Sequence, residues 1–200
     1  MGVFTSHNSV EKQKTRDYLI KMIPSLNKRK PKLLTLPADN FLFEKQVLKQ
    51  YKHAHIDCME LDRTMYNKMK NNLPLKDVHY EYGDIFDKLA SNPQEYDLVW
   101  IDLCGNLSLN NLNNLVSAAQ CSLKQKSIFA FTLTVAREQR SHIYADLYHA
   151  SGNGLRFDFL PKFLTEMARI VHPKFSLHKI MPYKNSSVST PMSLYVFKTF

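Results

Sequence analysis

The segment that most narrows the choice of fold is Tyr96-Asp97-Leu98-Val99-Trp100-Ile101-Asp102-Leu103. Its near-continuous apolar character suits a strand covered on both faces, as central strands of parallel sheets are. Parallel strands need long crossovers, usually helices. The flanking sequence alternates in that way. Lys32 to Leu36, Ala54 to Glu60, Val78 to Tyr82 and Ser127 to Leu133 read as four more strands. Phe41 to Tyr51, a segment from Asp62 through Lys70, Ile85 to Ala90 and Leu109 to Leu123 read as the helices between them. The rhythm is strand and helix repeated, with connections long enough for right-handed crossovers.

Within these elements the inward residues follow from spacing. Tyr18, Leu19, Met22 and Ile23 recur near one turn and predict an amphipathic helix over Glu11 to Ile23, ended by Pro24. Asp39 or Asn40 is placed to cap the next helix, with Leu42, Phe43, Val47 and Leu48 facing in. Leu112, Leu115, Val116 and Ala119 share a face further on. Trp100, Phe129 and Cys58 read as core. The last third changes character. Val135 to Tyr148 is rich in Arg, His and Gln, and Ser151-Gly152-Asn153-Gly154 is a break. A helix over Asp158 to Val171 puts Phe159, Phe163 and Met167 on one face and Pro161 in its first turn. Phe175 to Tyr183 and Leu194 to Phe200, joined by a long polar turn, predict an antiparallel hairpin. Tyr183 and Tyr195 either border a cleft or cover the sheet.

Composition excludes several classes. At 200 residues the chain can bury one sizeable core. Its apolar runs are too short to span a bilayer, and no apolar signal segment opens it. Gly2 with Ser6 only loosely fits a myristoylation signal. Three cysteines without a CxxC spacing argue against a disulfide framework and a structural zinc site, and fit a reducing, intracellular or cytoplasmic compartment. The histidines form no HExxH spacing, and the one HxH, His53-Ala54-His55, has no third ligand near it in sequence beyond Asp57, so no metal is expected. The net charge of +9 favours a polyanionic partner such as a nucleic acid, with no membrane role. The densest basic run, Asn27 to Lys32, is either a solvated loop or a phosphate contact. Oligomeric state leaves no mark on the sequence.

The chemistry concentrates where strands stop. MELD ends at Asp62, YGD at Asp84 and LVWID at Asp102. Acids along the carboxyl edge of a parallel sheet suit a nucleoside-like ligand. One carboxylate accepts both hydroxyls of a ribose, and adenine needs an apolar slot with one or two directed contacts. The first strand departs from a nucleotide-binding pattern: it runs into Leu34-Thr35-Leu36-Pro37-Ala38-Asp39-Asn40-Phe41 with no glycine. Asp39 at a helix start disfavours a phosphate, and with it a dinucleotide.

Five parallel strands, the acids after the second, third and fourth, and a terminal hairpin resemble the class I S-adenosylmethionine-dependent methyltransferases. The resemblance covers roughly Lys30 to the C-terminus. It implies an α/β fold, a three-layer Rossmann-like sandwich with a mixed seven-stranded sheet, parallel except for the antiparallel terminal hairpin strand. Residues 1–30 then form a helical extension and basic loop, and 31–200 a single domain. By the same resemblance, Glu60, with Leu61 beside it and Asp62 as competitor, binds the cofactor ribose. Asp84 and Ile85 hold the adenine. Leu36, Pro37, Ala38, Asp39 and Asp102 hold the methionine end, with Glu44 further on. Asp102 and Asn106 are the catalytic candidates. Cys104, Gly105, Arg137 and Arg140 line the acceptor side.

Each assignment has a plainer counterpart. Glu60 is otherwise a solvated strand end, and Asp62 and Asp84 are otherwise helix caps. Asp102 is otherwise a buried acid bonded to backbone, since burial of an acid is costly unless it is paired. Cys104 is a core thiol or, less readily, a nucleophile. Arg137, Arg140 and His142 bind an anion or simply face solvent on a crossover helix. The function expected is methyl transfer from S-adenosylmethionine to an acceptor, with nucleic acid one possibility. The alternatives are a catalytically inactive binding or structural protein on the same fold, or another enzyme using the same cofactor.

Overall fold

The computed structural model describes residues 10–37, 40–72, 75–92, 95–103, 107–121, 123–134, 154–184 and 191–200. Seven strands form one sheet: β1 (Lys32–Thr35), β2 (His55–Glu60), β3 (Val78–Tyr82), β4 (Tyr96–Asp102), β5 (Leu123–Thr134), β6 (Ser176–Lys184) and β7 (Pro191–Lys198). Their order is β3-β2-β1-β4-β5-β7-β6. The first five run parallel, and β7 is antiparallel to both its neighbours. The helices are α1 (Val10–Met22), α2 (Leu42–Gln50), α3 (Arg63–Asn72), α4 (Ile85–Ser91), α5 (Leu109–Cys121) and α6 (Leu160–Arg169). A 3-10 turn, Ile23–Leu26, closes α1 over Pro24.

Successive strand side chains point to opposite faces, so each parallel strand must be apolar twice over. The adjacent residues Leu33 and Leu34, Leu98 and Val99, and Trp100 and Ile101 divide in this way between two buried clusters. One cluster joins Leu34, Val99, Ile101, Phe129 and Phe131 to α4, α5 and α6. The other joins Leu33, Ile56, Leu98, Trp100 and Val196 to α1, α2 and α3. The result is the expected three-layer α/β sandwich. Aromatic stacking fastens the hairpin to β5: Phe131 lies 5.0 Å from Tyr195 and 5.9 Å from Phe197, centroid to centroid. Truncating one of these rings to alanine costs about 3–5 kcal/mol. Tyr183 and Tyr195 are both buried against the sheet.

The last strand begins at Pro191 rather than Leu194, and three other boundaries differ from expectation for physical reasons. β5 begins at Leu123 rather than Ser127, because Leu123 is buried and pairs with Tyr96 while Lys124, Gln125 and Lys126 disguise the strand as polar. Asn40 does not cap α2. Phe41 takes the cap position in a left-handed conformation, φ 52°, without a side-chain cap bond, and its buried ring meets Tyr80 edge-on at 5.3 Å. On α2, Leu42 and Leu48 are only half-buried, and Glu44 occupies an inward position beside Phe43 and Val47. The expected helix over Asp158 to Val171 is shorter. A π-helical turn, Leu155–Phe159, precedes α6, with Pro161 in the first turn and Phe159 stacked on Phe163 at 5.4 Å. Val135 to Tyr148 lies outside the described residues.

Candidate cofactor site

Because β1 to β4 are parallel, their carboxyl ends share one edge of the sheet. Along it the order β3-β2-β1-β4 sets out Asp84, Glu60, Leu36 with Pro37, and Asp102 in a row. Asp84 follows β3 and caps α4 by accepting from the Phe86 N–H at 2.8 Å. Its neighbour Ile85 is buried in the α4–α5–α6 cluster. Glu60 ends β2 and accepts from the Asp62 N–H at 2.8 Å. Partial burial, and then the nearby Asp62 charge, push its carboxyl above the ordinary range against the pull of that bond. Leu61 is exposed. Asp62 is committed elsewhere: it accepts from Thr64 and Met65 N–H at 2.8 and 3.0 Å and caps α3.

The other end of the row is enclosed. Asp102 lies across from Thr132, which donates a short hydrogen bond to it. From the opposite side α1 brings Lys12, whose Nζ stands 2.7 Å from Asp102 Oδ2. Both side chains are 12% exposed, so the pair is largely desolvated. One turn along α1, the buried Arg16 donates to Gln13 Oε1 at 2.8 Å. Glu44, also buried, accepts from Thr35 Oγ1 at 2.8 Å. Desolvation raises the Glu44 carboxyl, and the Thr35 bond and Arg16 charge pull it back in part. Desolvation likewise lowers the Arg16 guanidinium, offset by Asp17, Glu44 and Asp102.

Between these groups is a cavity of about 20 Å³, lined by Lys12, Arg16, Pro37, Asn40, Trp100 and Asp102 among others. That is space for roughly one water molecule. Two buried polar atoms of its lining residues, Trp100 Nε1 and Asn40 Oδ1, have no hydrogen-bond partner among the described residues. One is a donor and the other an acceptor, so a small polar guest satisfies both.

Of the residues singled out from sequence for the site, Leu36, Pro37, Glu44 and Asp102 come together at this cavity. Glu60, Leu61, Asp84 and Ile85 stand at the ends of β2 and β3. Ala38, Asp39, Cys104, Gly105, Asn106, Arg137 and Arg140 lie outside the described residues. Sequence reasoning missed Lys12, Arg16 and Thr132. The available signal was two cations four apart on α1, which share a face. Among the described residues, no three His, Cys, Asp or Glu side chains converge as a metal site, and no helix is long and apolar enough to cross a membrane.

No family model matches the sequence, and no curated protein matches it. Solved structures do match in fold. A candidate sarcosine dimethylglycine methyltransferase from Galdieria sulphuraria superposes with TM-score 0.60 at 11% identity, over 94% of this chain and 86% of that one. TYW2 of M. jannaschii, solved in complex with AdoMet, gives 0.58 at 15% identity, over 95% and 75%. The spermidine synthase of Thermotoga maritima gives 0.57 at 12% identity, over 93% and 59%. At such identities the likeness is one of fold, and the proteins matched are named for more than one kind of transfer. The chain has the fold of the class I S-adenosylmethionine-dependent methyltransferases.

Proposed function

We propose that this protein is an S-adenosylmethionine-dependent methyltransferase whose cleft lies over the carboxyl ends of β1 to β4, with α1 as a plug at the methionine end. The supporting observation is the row of acids, Asp84, Glu60 and Asp102, along one edge of the sheet. The adenosyl half of that row fits the cofactor. Glu60 supplies a carboxylate for the ribose hydroxyls, with Leu61 beside it, and Asp84 and Ile85 supply the polar and apolar contacts for adenine. The methionyl half fits only after a change. A cavity of about 20 Å³ does not admit an amino acid side chain, and the Lys12 ammonium already neutralises Asp102. Withdrawal of Lys12 exposes Asp102, Leu36 and Pro37, with Ala38 and Asp39 next in the loop.

S-adenosylmethionine, when bound, supplies a methyl group on a positively charged sulfur, whose in-line transfer depends on alignment more than on acid–base chemistry. The chain's part is to bind, orient and exclude water. Asp102 supplies negative charge in a largely desolvated setting, where it counts for more than in water. Asn106 follows it as the second catalytic candidate. Cys104, Gly105, Arg137 and Arg140 are proposed for the acceptor side, and a nucleic acid is the acceptor class that the +9 charge favours.

A second reading has its own observation. Lys12, sitting where a cofactor cation would be paired, suits a protein that kept the fold and lost catalysis. Calorimetric titration of S-adenosylmethionine separates the two. Binding by the wild type that is lost in both Glu60→Ala and Asp84→Ala supports the first reading. A folded wild type that binds nothing at millimolar cofactor moves the protein to the second.

A further inference from the structure

A second face of the molecule combines unpaired positive charge with aromatic rings, Phe200 exposed and Tyr18 partly buried. It lies beyond β5, on the side of the sheet that carries α1. Tyr18 of α1 stacks on His178 of β6, with ring centroids 6.3 Å apart and planes 21° from parallel. Lys179 Nζ sits 4.9 Å from the Tyr18 ring. Phe200, past the end of β7, has Lys198 Nζ at 5.2 Å and Lys126 Nζ at 5.6 Å from its ring. Lys14 and Lys21 are exposed one turn to either side of Tyr18, so they share its stripe on α1. None of these five lysines forms an ion pair among the described residues. Of the two acids on the same helix, Asp17 is held by Gln13 Nε2 at 2.6 Å, and Glu11 lies two turns before Tyr18.

The field of this patch registers on a neighbour. Burial lowers the His178 imidazole, and Lys198 and Lys179 lower it further. Like charges left together at a surface cost stability, and an anion brought among them removes that cost. The rings add what a bare polyanion site does not need. Tyr18 and Phe200 are flat apolar surfaces under lysines that reach for phosphate, the pairing used to bind single strands.

We infer that the Tyr18–His178–Lys179–Lys198–Phe200–Lys126 face binds single-stranded nucleic acid, its lysines contacting phosphates and its rings stacking on bases. The inference does not depend on the cofactor cleft. It is tested on the full chain by fluorescence anisotropy with labelled oligo-uridine and oligo-thymidine 12-mers at several salt concentrations. Each lysine removed, in Lys179→Ala and Lys198→Ala, is expected to reduce the slope of log affinity against log salt by about 0.7. Phe200→Leu and Tyr18→Leu are expected to weaken binding roughly tenfold, because base stacking is lost while the charge remains. Phe200 is exposed, so its change leaves the core intact. Heparin and phosphatidylserine vesicles serve as anionic probes without bases. Absence of oligonucleotide binding at low salt overturns the inference. So does heparin or vesicle binding as tight as that of the oligonucleotides with no loss in the two ring variants.

Discussion

Replacing Lys12 by methionine removes the ammonium that faces Asp102 and keeps most of the alkyl stem. At 2.7 Å the pair's gross attraction is about 6 kcal/mol for an effective dielectric constant near 20. Most of this is offset by the desolvation of both ions. Exposed pairs net about 0–1 kcal/mol, and breaking a fully buried one costs about 3–5. With both side chains 12% exposed, and with Thr132 still donating to Asp102, an intermediate loss of about 2 kcal/mol is expected at neutral pH. Urea denaturation of Lys12→Met, Asp102→Asn and the double variant measures it. The double-mutant cycle should return a coupling of about 1–3 kcal/mol, because the double variant leaves neither charge buried alone. Additive losses with coupling under about 0.3 kcal/mol refute the reasoning, since they mean that α1 does not seat Lys12 on Asp102 in solution.

Two further predictions concern buried acids. The Glu44 carboxyl is raised by burial above its ordinary 4.5, so the folded protein binds this proton more tightly than the unfolded chain. Its contribution is fully present below pH 4.5 and falls as pH rises toward the folded value. Glu44→Gln should therefore flatten the loss of stability above that pH, as read from urea midpoints across the range, and an unchanged slope would contradict the assignment. At the opposite edge of the sheet, Tyr96 Oη donates to the buried Asp57 at 2.8 Å. Tyr96→Phe is expected to cost about 1.5–3 kcal/mol, because a bond to a charged acceptor is lost. For a chain of this size that lowers Tm by roughly 4–8 °C, and a shift under 1 °C would show that His55 and Lys32 suffice for Asp57.

The parallel sheet was legible because each central strand carries its own signature. Tyr96 to Ile101 is buried along its whole length, and no other environment suits such a run. Asp62 and Asp84 were legible as chain punctuation, and both do cap helices. β5 was underread because its first turn of residues is polar where it pairs only with the start of β4. The site was legible only by its strand ends. Lys12 and Asp102 are far apart in sequence, and nothing local to either shows that α1 folds back over the first loop. Glu44 was named beside the first loop, but its burial was not legible: a helix face predicts apolar residues inward, whereas here Thr35 donates to the acid and Arg16 offsets its charge. Asn40 fits a helix start by type, yet burial of Phe41 decided where α2 begins.

The plug and the cleft are tested together by titrating S-adenosylmethionine into wild type and into Lys12→Met under the same buffer. Loss of the competing ammonium should tighten binding by about tenfold or more, the equivalent of about 1.4 kcal/mol of the pair's coupling. Equal affinity in the two proteins, or no binding by either while both remain folded, would contradict a cofactor site at Asp102 held shut by Lys12.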